Sequence, residues 1–331
     1  MLFKSNERFE AFRKSLSDHN IECTILDFRD NGWLDFDFSE VDLIIYYPST
    51  KYSSNYNLSL LDVFDHLIHI KSSYPHIQIY PDPNAIPYYN DKYKQYLFLC
   101  HNDYPIPQTV PLLSKESLNL AEQELGYPMI IKNRYGAAGV YVYRVKNRNE
   151  LTGIYNLSTF HFIHWYAFKF YRRFLLRRIF FYYFLKRKRM LYPFLSEPLL
   201  AQKFVNHERD LKLVVGNQQV VEGHWRRKAD EKMWKVNIDS GGIGEWSYIP
   251  DDAIHIAEEL AKDIPARWLN LDLFETSEGF LISEFSPVWH HYTYKEKPSF
   301  VYKDDYNIQM PLEKSLKLED IIVESYLNSN E

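Results

Sequence analysis

The stretch from Leu271 to Ser286, LDLFETSEGFLISEFS, constrains this chain more than any other. Two apolar runs flank Ser277-Glu278-Gly279, a tight-turn composition, so the segment reads as a β-hairpin. Strands this apolar are buried, and buried strands rarely carry charge. Asp272 nevertheless lies between Leu271 and Leu273, and Glu284 directly precedes Phe285. Ser286 follows Glu284 by two residues and therefore shares its strand face. Two carboxylates and a hydroxyl converging from paired strands offer the hard oxygen ligands that Mg2+ takes beside substrate phosphates. The competing reading is a hairpin whose ends happen to carry acids.

Glycine is scarce, with 11 copies against 27 tyrosines and 22 phenylalanines, so its clusters are informative. Gly136 and Gly139 form one cluster; Gly241, Gly242 and Gly244 form another. Glycines let backbone amides approach a phosphate and point at it together. Lys132 ends the apolar run just before the first cluster and would add a compact, mobile positive charge. Taken alone, the same residues fit a hairpin with a glycine turn and a solvent lysine. Arg226 and Arg227 lie on a strand that runs towards Asn237 and the second cluster. Arginine forks match phosphate or carboxylate geometry, and charge also protects an exposed strand edge.

The chain has 331 residues, enough for two or three packed units. The first 90 residues alternate helical and short β-branched segments, which argues for a small α/β unit. NERFEAFRKSLSDHN places Phe9, Phe12 and Leu16 on one helix face; IECTILDF, VDLIIYYP and HIQIYPDP read as strands. No glycine-rich fingerprint follows the first strand, so a dinucleotide site there is not expected. A helix from about Asp91 gives way to Pro105-Ile106-Pro107, an extended crossing between units. SKESLNLAEQELGYP reads as a helix capped by Ser114, or alternatively Ser117, and stopped by Gly126. Further strands include EWSYIP and a hairpin turning at Gly216-Asn217, and a helix closes the chain. Cys23 and Cys100 provide neither a disulfide framework nor zinc spacing, which fits a reducing cytoplasm. The charged N-terminus is not a signal peptide, and no apolar run of about 18 residues predicts a spanning helix.

Taken in order, these elements resemble the ATP-grasp superfamily, and within it the RimK-like amino-acid and peptide ligases. The order is lysine and glycine loop, AQKFV, RDLKLVVGNQQVVEGHWRRK, asparagine and glycines, aspartate, then Glu-x-Ser. The resemblance runs from about residue 91 to 287, broken by one insertion. It implies an α/β (α+β) protein: an ATP-grasp fold behind an N-terminal Rossmann-like pre-grasp domain, with a basic helical insertion. The implied domains are 1–90 (pre-grasp), 91–205 (lid subdomain, insertion at about 155–195) and 206–331 (C-terminal subdomain).

By the same resemblance, Lys92 and Lys132 contact ATP phosphates, and Tyr135, Gly136, Ala137, Ala138 and Gly139 form the flexible phosphate lid. Gln202, Lys203, Phe204 and Val205 match the hinge that holds adenine through its backbone. Asp210 and Lys212 match the Asp-x-Arg strand. Arg226 matches the arginine near the reacting acyl phosphate and, with Lys132, is a catalytic candidate. Asn237, Gly241 and Gly242 match the Asn-x-x-x-Gly-Gly loop; Asp272, Glu284 and Ser286 match the metal positions. The chain departs from the family pattern at Lys203 (usually Glu), Lys212 (usually Arg) and Ser286 (usually Asn), and has Asn133 where proline is commoner. The implied cofactors are ATP and Mg2+, two ions, with Mn2+ as a substitute.

The implied activity is an ADP-forming carboxylate–amine ligase working through an acyl phosphate. Its carboxylate could belong to an amino acid, a peptide or a cell-surface glycan. Two alternatives stay open: a ligase modifying an acidic precursor peptide, and a degenerate grasp serving as a binding or scaffold module. The insertion adds its own question. From Phe160 to Phe194 there are nine lysines and arginines and no acid, leaving 30 basic against 44 acidic residues elsewhere. That segment suits a helix on an anionic membrane surface, where each basic residue is worth about 1 kcal/mol. It also suits an acidic peptide or glycan partner, or packing on the acidic body of the chain itself. Nucleic acid is the weakest partner, because the rest of the chain is acidic. The implied location is the cytoplasm, peripheral at the inner membrane face; oligomeric state is open, with a dimer compatible.

Overall fold

The computed structural model describes residues 2–3, 9–27, 31–47, 60–89, 91–135, 141–158, 198–230, 233–236, 241–245, 247–264, 266–288, 301–303, 309–311 and 318–328. The basic run of 160–194, the lid residues Gly136 to Gly139 and Asn237 lie outside the described residues.

The N-terminal unit contains β1 (Leu2–Phe3), α1 (Phe9–Asp18), β2 (Ile25–Leu26), β3 (Leu43–Ile45), α2 (Leu60–Ser73) and β4 (Gln78–Tyr80). Its four strands are parallel, in the order β2-β1-β3-β4. Phe9, Phe12 and Leu16 lie on one face of α1 and are buried with Ile44, Ile45, Ile79 and Tyr80. The strand expected over IECTILDF is shorter than its apolar pattern, because β2 is an edge strand paired on one side only.

The second unit begins with α3 (Lys92–His101), whose first turn is capped by Asp91. Asp91 Oδ1 accepts from the backbone of Tyr93 at 3.2 Å and of Lys94 at 3.1 Å. There follow β5 (Thr109–Leu112), α4 (Ser117–Leu125), β6 (Met129–Lys132), β7 (Val142–Val145), α5 (Arg148–Ser158) and β8 (Leu199–Lys203). The strands form an antiparallel sheet in the order β5-β8-β6-β7. Leu118, Ala121 and Leu125 of α4 pack on Met129, Ile131, Leu199 and Ala201. Neither Ser114 nor Ser117 caps α4: Glu116 occupies the cap position without a side-chain bond. The Ser117 hydroxyl instead donates to the Ser114 carbonyl, closing the preceding turn. Gly126 ends the helix at φ +64°, as its position predicts.

The third unit is the platform for the site. It contains β9 (Arg209–Gly216), β10 (Gln219–Arg227), β11 (Ile243–Glu245), α6 (Asp251–Asp263), β12 (Trp268–Thr276), β13 (Gly279–Ser286), β14 (Val301–Lys303), β15 (Gln309–Pro311) and α7 (Leu318–Leu327). The sheet order is β13-β12-β9-β10-β14-β15, with β11 also on β10. The strand expected over EWSYIP stops at Glu245, and Pro250, which has no N–H for a ladder, caps α6 instead.

Alternation gives the platform two unlike faces. One is apolar: Leu211, Leu213, Leu269, Leu271, Leu273 and Phe285 pack on Ala253, Ile254, Ala257 and Leu260 of α6. The other carries the charged residues. At the β9–β10 turn, Asn217 (φ 50°) and Gln218 (φ 66°) take the left-handed conformations of a two-residue hairpin loop. Gly216 is needed for another reason: a Cβ there would collide with the Trp268 indole. Gly216→Ala is therefore expected to destabilise the protein by about 1–3 kcal/mol, read as a lower urea midpoint at unchanged slope.

Candidate functional site

The polar face of the third sheet is a grid fixed by register. In one row Arg226 on β10 opposes Asp210 on β9, which opposes Phe274 on β12. In the next, His224 opposes Lys212, Lys212 opposes Asp272, and Asp272 opposes Glu284 on β13. Residues remote in the chain thus become neighbours because strand period and pairing bring them to one face.

Arg226 is buried and donates two bonds to Asp210, at 2.7 and 2.8 Å. Its guanidinium also lies 3.0 Å from Asp272 Oδ2, while Lys212 Nζ donates to Asp272 Oδ1 at 3.2 Å. Burial would push the Asp272 carboxyl up, but Arg226 and Lys212 outweigh it and hold the group well below the usual carboxylate range. Burial does win at Asp210, which is pushed up to about 6 against the pull of Arg226. Between these two acids the guanidinium is held charged, its pKa raised despite burial.

Two lysines face the same place from the second unit. Lys92, in the first turn of α3, lies 3.4 Å from Glu284. Lys132, at the end of β6, donates to the Ser283 carbonyl and hydroxyl at 3.4 Å. Burial lowers Lys132 to about 8, opposed by Glu284 and reinforced by Lys92. A second link ties the same two segments: Arg134 grips Asp91 through three bonds of 2.8 to 3.1 Å.

Lys92, Lys132, Gln202, Lys203, Phe204, Val205, Asp210, Arg226, Asp272 and Glu284 all line one cleft. Ile130, Val142, Phe274 and Trp234 supply apolar wall, and His207 stacks on Phe274 at 4.3 Å. A cleft lined largely by apolar side chains with a few convergent charges has the character of a small-molecule site. Lys212 lies behind Asp272. Tyr135 bridges to Asp91 at the root of the lid. Gly241 and Gly242 lie just before β11 and are not among the residues lining the cleft. Ser286 is one register step from Glu284, opposite Asn270, and its hydroxyl accepts from the Val288 backbone at 3.3 Å.

Asp272 and Glu284 form a cross-strand acidic pair, a repulsive arrangement unless cations lie beside it, and here Lys92 and Lys212 do. Their oxygens fit Mg2+, which takes one or two carboxylates and leaves its remaining positions to water and phosphate. Among the described residues no three His, Cys, Asp or Glu side chains are grouped so as to hold a metal ion.

Several residues in and around this site were not picked out from the sequence: Asp91 with Arg134, Ser283, Asn270, Glu222 and His224. Strand parity was the available signal, since Glu222 and His224 precede Arg226 at two-residue spacing and Asn270 precedes Asp272 likewise. His224 is buried and kept neutral, pushed down to about 3. Glu222 is fully buried, and burial pushes it up to about 8 against the weaker pull of Lys212. The folded carboxyl therefore stays neutral where the unfolded one, with its ordinary pKa of 4.5, has ionised. Stability present below pH 4.5 is lost as pH rises towards 8, to a limit of about 5 kcal/mol. Glu222→Gln removes this slope. Thermal melts should show its stability gain over the parent protein growing from pH 5 to pH 8.

Comparison with known proteins bears on the fold. The model of the RimK-like ATP-grasp domain matches residues 186–289. The structure superposes over its whole length on the ATP-grasp ligase PsnB bound to a phosphomimetic precursor variant, Mg and ADP. That TM-score is 0.61 at 11% identity, covering 100% of this chain and 98% of that one. This chain has the ATP-grasp fold. D-alanine–D-alanine ligase from Bacillus anthracis, complexed with ATP, gives a TM-score of 0.57 at 12% identity, covering 99% of this chain and 96% of that one. Among curated sequences, phosphoribosylaminoimidazole carboxylase of Candida glabrata is 34% identical over 86 residues, 25% of this chain and 15% of that protein. The Saccharomyces cerevisiae protein of the same name is 34% identical over 90 residues. The chain spans 15% of the length of these curated relatives. Among the described residues, no helix is long and apolar enough to cross a membrane.

Proposed function

We propose that the protein is an ATP-dependent carboxylate–amine ligase, ADP-forming, that activates its carboxylate as an acyl phosphate. One observation carries the reading: Lys92, Lys132 and Arg226 converge with Asp272 and Glu284 on a single cleft. A carboxylate is a poor acyl donor because its leaving group would be oxide, and phosphorylation replaces that group. Both phosphoryl transfer and amine attack build negative charge on phosphoryl oxygens, so the site needs placed cations rather than a strong base. Lys92 and Lys132 would hold the ATP phosphates. Arg226, kept charged and oriented by Asp210, would face the transferring group. Asp272 and Glu284 would hold Mg2+, which when bound neutralises charge on the ATP phosphates. Backbone groups from Gln202 to Val205, with Ile130, Val142 and Phe274 as apolar walls, would seat the base.

The test is ADP and phosphate release in the presence of ATP, Mg2+, a panel of carboxylates and hydroxylamine, with hydroxamate as the trapped product. Hydroxamate formed only with ATP supports the ligase. A second reading, a nucleotide-binding module without turnover, is favoured by Lys212 and Arg226, which occupy both oxygens of Asp272. Nucleotide binding without ADP release across the panel would establish that reading instead. The carboxylate class, peptide or glycan, and a docking role for the basic run of 160–194 belong to the same proposal.

A further inference from the structure

The polar face does not end at Asp272. One register step further, the same strands carry Glu222, Val214, Asn270 and Ser286, in that order from β10 to β13. Glu222 is fully buried, and neither of its carboxylate oxygens has a hydrogen-bond partner. Asn270 is 3% exposed; its Nδ2 donates to the Val288 carbonyl, but its Oδ1 is likewise without a partner. Buried polar groups are normally bonded, because leaving one unmet costs free energy. Here the unmet atoms are all oxygens: the two of the Glu222 carboxyl, both of them acceptors once it ionises, and the Asn270 amide oxygen.

The neighbouring cations are already engaged. Arg226 is held by Asp210 and Asp272, Lys212 by Asp272, and Lys92 by Glu284. His224, between Glu222 and Arg226 on β10, is neutral and adds no charge. The face is thus sorted: cations gather around Asp272 and Glu284, where phosphates would bind, and bare acceptors lie one row away. Strand spacing sets Glu222 and Asn270 about 10 Å apart across the aliphatic Val214, and about 7 Å from the row of Lys212 and Asp272. Val214, Trp268 and Val288 also join the core of Tyr80 and Tyr326, so the row lies at the seam between the N-terminal sheet and the platform.

We propose that this row is the recognition end for a cationic nitrogen, ammonium or guanidinium, on the amine-side substrate, held by the Glu222 carboxylate and the Asn270 amide oxygen over Val214. The inference rests on the ligase reading and specifies its second substrate as one bearing a basic group. A buried acid kept without a partner at a cost to stability is the pattern expected where binding, rather than folding, selects the residue.

Calorimetry with the dipeptides Ala-Lys, Ala-Arg and Ala-norleucine, on full-length protein with ADP and Mg2+ and again without nucleotide, tests this. The two basic dipeptides are expected to bind at least about ten-fold more tightly than Ala-norleucine. Glu222→Gln should bring that preference below about three-fold. Because Glu222 alone is neutral near pH 7, capture of a cation should expel a proton. The heat of binding Ala-Lys should therefore vary with buffer ionisation enthalpy in the parent protein and not in the variant. Asn270→Asp, which adds a charge to the row, should raise the preference and stands in if Glu222→Gln fails to fold. Equal binding of the three dipeptides, or a preference unchanged in either variant, overturns the subsite. Calorimetry needs no turnover, so missing hydroxamate would sink the ligase reading while the dipeptide selectivity is still measured.

Discussion

Arg226→Met is expected to cost about 3–5 kcal/mol of stability and to abolish ADP release. The loss follows from what the guanidinium leaves behind. Asp210 is 3% exposed and receives both of its side-chain bonds from Arg226, and Asp272 would keep only Lys212. Two buried carboxylates around one ammonium cannot both stay ionised cheaply. The double variant Arg226→Met, Asp210→Leu removes the orphaned acid with the base and should recover most of the lost stability, because an apolar pair can replace a buried ion pair at little cost. ADP release should stay absent, since the cation that faces the transferring phosphoryl group is gone. Urea denaturation and an ADP-release assay on both variants decide the matter. A double variant that turned over would make Arg226 a structural residue only.

Glu284→Gln should separate activity from stability in the opposite way. Its side chain is 37% exposed and its ion pair with Lys92, at 3.4 Å, is partly screened, so stability should change by less than about 1 kcal/mol. As a bearer of Mg2+ on ATP it is expected to be needed for turnover, with ADP release falling by at least about 100-fold. Raising Mg2+ should restore part of that loss. Lys132→Met offers a contrast, because burial already lowers that lysine to about 8. Replacing it with an apolar chain of similar length should leave stability equal or higher, while nucleotide affinity falls. ADP release unaffected by either substitution would remove the proposed phosphate site.

Some of this was written locally. The hairpin of β12 and β13, its turn at Gly279, and the sharing of one face by Asp272 with Asn270 and by Glu284 with Ser286 follow from a period of two. The stop at Gly126 and the burial of Phe9, Phe12 and Leu16 are equally local. Other features were less legible. Pairing made β2 two residues long where the apolar run is longer, because edge position is a property of the sheet and not of the segment. The Ser117 hydroxyl, offered as a cap for α4, was spent on the turn before it. Ser286, matched to a metal position by resemblance, stands opposite Asn270, and its hydroxyl accepts from the Val288 backbone.

By itself, then, the sequence determined which side chains each strand presents together: Glu222 with His224 and Arg226, Asp210 with Lys212, Asn270 with Asp272. Side-chain alternation depends only on the backbone within one strand. Tertiary structure alone decided that Lys212 lies beside Asp272, that Lys92 and Lys132 reach across from the second unit, and that Glu222 and Asn270 share a row. The neighbours within the platform come from register between strands, Lys212 and Asp272 being 60 residues apart. Register is set by burial of the apolar face on α6, through the packed platform as a whole, and no single segment contains it.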